Sequence, residues 1–150
     1  MNTKEQKEIR EKIFKINPKK WWGDNFDVRF YLISKLKNTQ NKKILDLGGG
    51  IGIILSEINN DNLRINLDVS FDDLLECKIK NDKNIQCVNA HSTKLPFKKE
   101  FFDIIVSGSV LEYNKEEDIK NRDKQLIEKS SVQKTIEEIN SVLKNDGILY

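Results

Sequence analysis

The stretch Lys42–Gly52 reads K-K-I-L-D-L-G-G-G-I-G and organises the rest of the chain. Its short apolar run contains one acid, Asp46, and ends in three consecutive glycines, with Gly52 one residue further on. An apolar run of this length bounded by glycine predicts a buried strand. The apolar residues that follow have helical spacing and predict a helix over 51–58: Ile51, Ile54, Leu55 and Ile58. The glycines therefore lie at a strand-to-helix turn, where residues without a Cβ let the backbone approach a ligand.

The spacing of the glycines differs from two common phosphate-binding motifs. The dinucleotide fingerprint is G-x-G-x-x-G, whereas this chain has Gly48-x-Gly50-x-Gly52 followed by Ile53. No Gly-Lys-Ser/Thr follows, so the turn is not a P-loop. A helix N-terminus suits an anion, but nothing in the turn supplies a dedicated phosphate cradle. The pattern indicates a nucleoside site.

A second acid supports this interpretation. Residues 62–67 (N-L-R-I-N-L) alternate, which predicts a strand with Leu63, Ile65 and Leu67 on one face. Asp68 follows, 16 positions after Gly52, near the place where such folds put a carboxylate on the hydroxyl pair of a ribose. The alternative is that Asp68 only caps the next helix.

The remaining pattern predicts alternating helices and strands. Thr3–Ile16 is predicted to be a helix with a capping box, and Asp24 caps a second helix that contains Phe26, Phe30 and Ile33. Ser70 caps a helix to about Lys80. Its predicted buried face is Phe71, Leu74, Leu75 and Ile79.

Strands are predicted over 84–89 and 101–107, and the loop over 90–97 belongs at the carboxyl end of the sheet. The charged residues 113–129 read as an exposed helix or mobile segment. Ser131 caps a helix with Val132, Ile136, Ile139, Val142 and Leu143 inward. Gly147 is its C′ residue, and 148–150 begin a fifth strand. The alternation predicts an α/β fold with a parallel sheet and right-handed crossovers.

Composition argues against several classes of protein and of binding partner. The chain has 150 residues, 37% hydrophobic and 33% charged, which favours one domain. A net charge of +2 gives no reason to expect nucleic acid or a membrane surface as partner. The N-terminus lacks an apolar leader, so a cytoplasmic location is expected. Cys77 and Cys87 lack metal spacing, and no metal is expected.

Five motifs together resemble the class I S-adenosylmethionine-dependent methyltransferases. They are I-L-D-L-G-G-G-I-G, N-L-D-V-S, N-A-H-S-T-K-L-P-F, F-F-D-I-I-V-S-G-S-V-L-E-Y and I-E-E-I-N-S-V-L-K-N-D-G-I-L-Y, in the family's order from Lys42 to Tyr150. The resemblance implies a Rossmann-like, doubly wound sheet of order 3-2-1-4-5. Residues 1–40 would form an N-terminal helical extension or lid, and 41–150 the cofactor-binding core.

The family normally continues past strand 5 with a helix and a closing antiparallel hairpin, and those hairpin strands are absent here. The sequence is therefore expected to be a fragment of a longer methyltransferase, or a chain that associates through the exposed edge of strand 5.

The resemblance also implies the cofactor contacts. Asp46 would help to hold the methionine ammonium, directly or through water, and Gly48, Gly49, Gly50 and Gly52 would bring backbone close to the methionine and ribose. Asp68 would accept from the ribose hydroxyls. Val69 would pack on the adenine, whose edge Asn89 would read by its side chain and Ala90 by its backbone N–H. Ser107 would lie by the methionine moiety and the transferable methyl group.

No catalytic residue is assigned, since methyl transfer from a sulfonium needs mainly alignment. Glu112 and Tyr113 could serve as a base or substrate contact, or merely as helix-start and packing residues. His91 is placed nearer the adenine than the methyl group. Trp21 and Trp22 either anchor the N-terminal helices or contribute a ring to a lid.

The sequence leaves three functions open. The first is methyl transfer to an acceptor that near-neutral charge suggests is a small molecule. The second is a non-catalytic or partner-dependent cofactor-binding module. The third is a nicotinamide-dependent Rossmann enzyme, against which Ile53 counts because it replaces the third fingerprint glycine.

Overall fold

The computed structural model describes residues 25–81, 84–108, 110–111 and 130–150, and within them the chain forms a five-stranded parallel sheet. The strands are β1 (Lys43–Leu47), β2 (Leu63–Asp68), β3 (Ile85–Asn89), β4 (Phe102–Val106) and β5 (Leu143–Leu149). Their order is β3-β2-β1-β4-β5, which confirms the predicted 3-2-1-4-5 arrangement. The order reverses at β1, and ligands of such sheets bind at the carboxyl ends of the strands beside that reversal.

Helices cover both faces of the sheet. They are α1 (Asn25–Leu36), α2 (Ile53–Ser56), α3 (Phe71–Lys80) and α4 (Ser131–Val142). One apolar cluster joins α1 and α2 to Ile44 and Val106, and it contains Phe30, Leu32, Ile33 and Leu36 of α1. The other joins Ile139 and Val142 of α4 to the opposite face. The sheet is therefore buried from both sides, as a parallel sheet requires.

The helix after the glycine turn is shorter than predicted. Periodicity indicated residues 51–58, whereas α2 covers Ile53–Ser56. Nη1 of the buried Arg64 donates to the carbonyl oxygens of Leu55 at 3.1 Å and Ile58 at 3.2 Å, at and just beyond the end of the helix. These hydrogen bonds help to satisfy carbonyls at the helix end, which lack an i→i+4 partner inside the helix.

The buried face of α3 was predicted wrongly in part. Ser70 caps the helix as expected, its Oγ accepting from the N–H of Asp73 at 3.2 Å. Leu74 and Cys77 face the sheet, but the other three predicted residues are exposed, by 66% at Phe71, 47% at Leu75 and 74% at Ile79. The helix is turned so that its i, i+3 stripe, rather than its i, i+4 stripe, meets β2 and β3.

Helix α4 and strand β5 also differ in detail. The N-cap is Ser130, one residue before the predicted Ser131, and its Oγ accepts from the N–H of Gln133. The predicted inward residue Ile136 is 44% exposed, and Thr135 is buried instead. Gly147 is not the C′ residue of α4, because β5 begins directly after the helix. It lies in an irregular part of that strand, between the pairs Phe102–Leu143 and Ile104–Ile148.

Several expectations lie outside the described residues. They are the helix over 3–16, the roles of Trp21, Trp22, Glu112 and Tyr113, the cap at Asp24, and the charged segment 113–129. Among the described helices, none has the length and apolar character needed to cross a membrane.

Candidate cofactor site

The glycine turn lies at the carboxyl end of β1, where the strand order reverses. Gly48, Gly50 and Gly52 have φ angles of 71°, 53° and 76°, a region that L side chains rarely adopt. The N–H of Gly52 donates to the carbonyl of Gly49 at 2.9 Å and closes the turn. The predicted strand-to-helix turn is therefore confirmed, with three of its four glycines in the left-handed region.

Close packing surrounds three of the four glycines of this turn, and open space surrounds the fourth. A Cβ on Gly48 would overlap Cγ2 of Val110. A Cβ on Gly49 would overlap the side chain of Asn66 and stand 2.6 Å from Oδ2 of Asp46. A Cβ on Gly52 would stand 2.5 Å from Sγ of Cys77. A Cβ on Gly50 would meet nothing within 4 Å, so Gly50 presents bare backbone to the open side of the turn.

Three side chains from other elements hold the turn. Nδ2 of Asn66 in β2 donates to the carbonyl of Gly50 at 2.7 Å, and Nδ2 of Asn81, which follows α3, donates to the carbonyl of Ile51 at 2.8 Å. Oδ2 of Asp68 accepts from the N–H of Gly50 at 2.8 Å. The turn is therefore fixed by side-chain contacts to both its donors and its acceptors, which is the preorganisation that a binding site requires.

Asn66 and Asn81 were not singled out from the sequence. The alternation over 62–67 placed only the leucines and Ile65 on one face, and the other face also proves to be buried, with Arg64 and Asn66 1% and 0% exposed. One signal was present. A strand inside a parallel sheet is buried on both faces, so polar residues on its second face must have buried partners.

Asp68 accepts hydrogen bonds from two backbone N–H groups, and its contact with a ribose stays a prediction. Oδ2 contacts the glycine turn, while Oδ1 accepts from the N–H of Ser70 at 2.9 Å, at the start of α3. The carboxylate therefore links the two turns that follow β1 and β2. Each carboxylate oxygen has a second lone pair that could receive a hydroxyl.

Asp46 is the most perturbed acid near the turn. It is 1% exposed, and its Oδ2 has no hydrogen-bond partner among the described residues. Burial raises the pKa of this carboxyl to about 7, with Arg29 opposing the rise and Asp68 adding to it. A group with such a pKa in a cleft is a functional candidate.

Ser107 follows β4 directly beyond Val106, the register partner of Asp46. Its N–H donates to the carbonyl of Tyr150 at 3.0 Å, whereas its buried Oγ has no partner within the described part of the chain. The hydroxyl is thus a third unsatisfied polar group, besides Asp46 Oδ2 and Asn66 Oδ1, at the ends of the strands on which the glycine turn rests.

The predicted adenine contacts group at the ends of β2 and β3. Val69 is 63% exposed, and Nδ2 of Asn89 donates at 3.0 Å to the carbonyls of both Asp68 and Val69. Because its amide nitrogen is engaged there, Asn89 offers its oxygen as an acceptor. The N–H of Ala90 donates to the carbonyl of Asp68 at 3.2 Å and is therefore already engaged. Its expected contact with the adenine edge stays a prediction. His91 is exposed, with Nδ1 2.8 Å from Oγ1 of Thr93.

The arrangement suits a nucleoside that carries an amino-acid side arm. Buried acceptors at Asp46 and Asn66 suit a cation, an acid at Asp68 suits a hydroxyl pair, and an exposed apolar Val69 beside an amide suits a heterocycle. Among the described residues, no group of three or more His, Cys, Asp or Glu side chains could hold a metal ion.

The sheet order and the glycine turn after β1 place the chain in the class of Rossmann-like α/β proteins. Within that class, a family described as the methyltransferase domain matches residues 45–150, and the chain belongs to this family. The match begins inside β1 and includes every residue predicted to contact the cofactor. No curated protein matches the sequence.

Solved structures share the fold at low identity. A TehB-like S-adenosylmethionine-dependent methyltransferase from Corynebacterium glutamicum has 18% identity and a TM-score of 0.62, over 99% of this chain and 72% of that one. The YcgJ protein of Bacillus subtilis has 19% identity and a TM-score of 0.62, over 82% and 48%.

A third similar structure is a complex between a methyltransferase activator of Haloferax volcanii and a protein described as a methyltransferase. It has 19% identity and a TM-score of 0.63, over 80% of this chain and 48% of that one. The chain thus spans about half the length of two of these three structures.

Proposed function

We propose that this chain binds S-adenosylmethionine and transfers its methyl group to a small-molecule acceptor. Membership of the methyltransferase-domain family supports the reaction in general terms. The observation that carries the proposal is a set of three buried and unsatisfied polar atoms, Asp46 Oδ2, Asn66 Oδ1 and Ser107 Oγ, beside a fixed glycine turn. Buried polar groups without partners cost free energy, so their retention favours a ligand that satisfies them.

Each predicted contact has a proposed task. Asp46 receives the ammonium of the amino-acid arm, and Gly48, Gly49, Gly50 and Gly52 keep side chains away from it. Asp68 receives the ribose hydroxyls. Val69 covers one face of the adenine, whose amino group Asn89 accepts, while Ala90 lies along its edge. Ser107 lies near the reacting end.

The bound cofactor supplies an activated methyl group on a sulfonium. The protein's own contribution is to hold that group and the acceptor in line, and such orientation can contribute roughly 7–11 kcal/mol to lowering the barrier. No side chain among the described residues is assigned as a base.

We also propose that residues 1–40 form an extension beside a core of residues 41–150.

The alternative function is a cofactor-binding module that needs a partner. Strand β5 is an edge of the sheet within the described residues, and its Ile148 and Leu149 are 48% and 49% exposed. An apolar strand edge favours pairing with another segment or chain. The similar protein from Haloferax volcanii is described in complex with an activator, which supports the proposal of a partner here.

Formation of S-adenosylhomocysteine tests the enzymatic proposal. The chain would be incubated with S-adenosylmethionine and pools of small amines, alcohols, thiols and carboxylic acids. Product that depends on one pool supports methyl transfer to a small molecule. Cofactor binding without product from any pool would instead support the partner-dependent module, and absence of cofactor binding would contradict both.

A further inference from the structure

Asp46 and Asn66 are register partners in neighbouring strands, β1 and β2. Both side chains are buried, with 1% and 0% of their surface exposed. They reach the same point of the glycine turn, because a Cβ built on Gly49 would overlap Oδ1 of Asn66 and stand 2.6 Å from Oδ2 of Asp46. Two acceptor oxygens therefore converge beneath Gly49.

The orientation of the Asn66 amide is fixed. Its Nδ2 donates to the carbonyl of Gly50 at 2.7 Å, a partner that only the nitrogen can serve, so Oδ1 must point away from that carbonyl. Neither Oδ1 of Asn66 nor Oδ2 of Asp46 has a hydrogen-bond partner among the residues described. Two buried acceptors that face one point favour a shared donor, such as a proton, an ordered water or a cation.

We propose that Asn66 is a cofactor-positioning residue that, together with Asp46, receives the ammonium group of the cofactor's amino-acid arm, directly or through one water. This inference rests on the proposed function and adds a residue to it. An ammonium carries three donors and a positive charge, so it can satisfy both oxygens at once. A neutral ligand without the amino-acid arm cannot.

A proton would occupy the same place before the ligand binds. Burial raises the pKa of Asp46 to about 7, with Arg29 on α1 lowering it and Asp68 at the end of β2 raising it further. Below neutral pH, Asp46 is therefore mostly protonated and can share its proton with Asn66. An arriving ammonium would displace that proton into solvent, so binding is coupled to proton release.

Two ligands separate this role from a merely structural one. S-adenosylhomocysteine has the ammonium, and 5′-methylthioadenosine has the same nucleoside without the amino-acid arm. Replacing Asn66 by alanine should weaken binding of S-adenosylhomocysteine about 10-fold more than binding of 5′-methylthioadenosine, as a hydrogen bond to a charged group would. Equal weakening of both ligands, or of neither, would overturn the proposal.

Asn81→Ala is the matched control. Asn81 also donates an amide N–H to the glycine turn, at the carbonyl of Ile51, but its oxygen is not among the unsatisfied atoms beneath Gly49. The control should weaken both ligands by the same factor. If Asn81→Ala weakened binding of S-adenosylhomocysteine selectively, by as large a factor as Asn66→Ala, loosening of the turn would be enough to explain the effect. That result would overturn the assignment of Asn66 as a positioning residue.

Proton release by the unaltered chain tests the proposal even where Asn66→Ala does not fold. Calorimetry at about pH 6.5, in buffers of different ionisation enthalpy, should show roughly half a proton or more released per S-adenosylhomocysteine bound and none per 5′-methylthioadenosine. Proton release on binding of both ligands, or of neither, would contradict the proposed exchange of the Asp46 proton for the ammonium group. Failure of the unaltered chain to bind either ligand would contradict the proposed function itself.

Discussion

The carboxylate of Asp68 accepts a hydrogen bond of 2.8 Å from the backbone N–H of Gly50, which joins the end of β2 to the turn after β1. Its other oxygen accepts from Ser70 at the start of α3. One acid thus positions both turns that border the proposed ribose site. A ribose bound there would meet a carboxylate that backbone donors already orient, so little side-chain freedom is lost on binding.

Replacing Asp68 by alanine should weaken the binding of S-adenosylhomocysteine by about 1–3 kcal/mol, the cost of leaving buried hydroxyls and N–H groups without an acceptor. Calorimetric titration of the variant measures this. Asp72→Ala is a suitable control, because Asp72 lies in the exposed first turn of α3 and should leave the affinity unchanged. Unchanged affinity in Asp68→Ala would show that the ribose is held elsewhere.

Alanine substitutions at Gly52 and Gly50 should have different effects. Both residues have positive φ, so both variants should lose about 1–2 kcal/mol of stability from backbone strain. Gly52→Ala should lose more, because its new methyl group would stand 2.5 Å from Sγ of Cys77. Chemical unfolding of the two variants measures the difference.

Gly50→Ala should instead act on binding, since its methyl group would project into the open space that the turn presents. Combining Gly52→Ala with Cys77→Ala removes the atom that the new methyl group meets, and this should recover part of the lost stability. Equal destabilisation by the two single variants would argue against the packing account of Gly52.

The stability of the fold should depend on pH through Asp46. Its pKa in the folded chain, about 7, lies above the ordinary value of 3.8, so the folded chain binds the extra proton between these values. This carboxyl therefore makes the free energy of unfolding fall as the pH rises from about 4 to about 7.

Asp46→Asn keeps the shape of the side chain and removes its titration. Urea unfolding at several pH values should show a smaller fall for the variant than for the unaltered chain over the same range. The same pH dependence in both proteins would mean that Asp46 is not protonated in the folded state.

The sequence predicted the sheet well, because its signals are local. The apolar run before Gly48 and the alternation before Asp68 each indicate a strand, and the glycine spacing predicts the turn that joins β1 to α2. These features, with the order implied by the resemblance, match the observed β3-β2-β1-β4-β5 sheet. Asp68 was singled out as a ribose contact, which stays a prediction, whereas its hydrogen bond to Gly50 was not foreseen.

What the sequence missed depends on contacts between distant segments. The end of α2 is bound by Arg64, a residue of the next strand. The turn is held by Asn66 and Asn81, at sequence separations of 16 and 30 residues from their carbonyl partners. Apolar residues lie on two stripes of α3, so periodicity alone does not tell which stripe faces the sheet. Local periodicity contains none of this information.

Calorimetric titration of the 150-residue chain with S-adenosylhomocysteine, with NAD in a parallel cell, tests the central claim most directly. The Asp46, Asn66 and Asp68 arrangement predicts micromolar binding of S-adenosylhomocysteine and none of NAD. A chain that is folded by circular dichroism yet binds neither ligand, or binds NAD alone, would contradict the claim that these residues form an S-adenosylmethionine site.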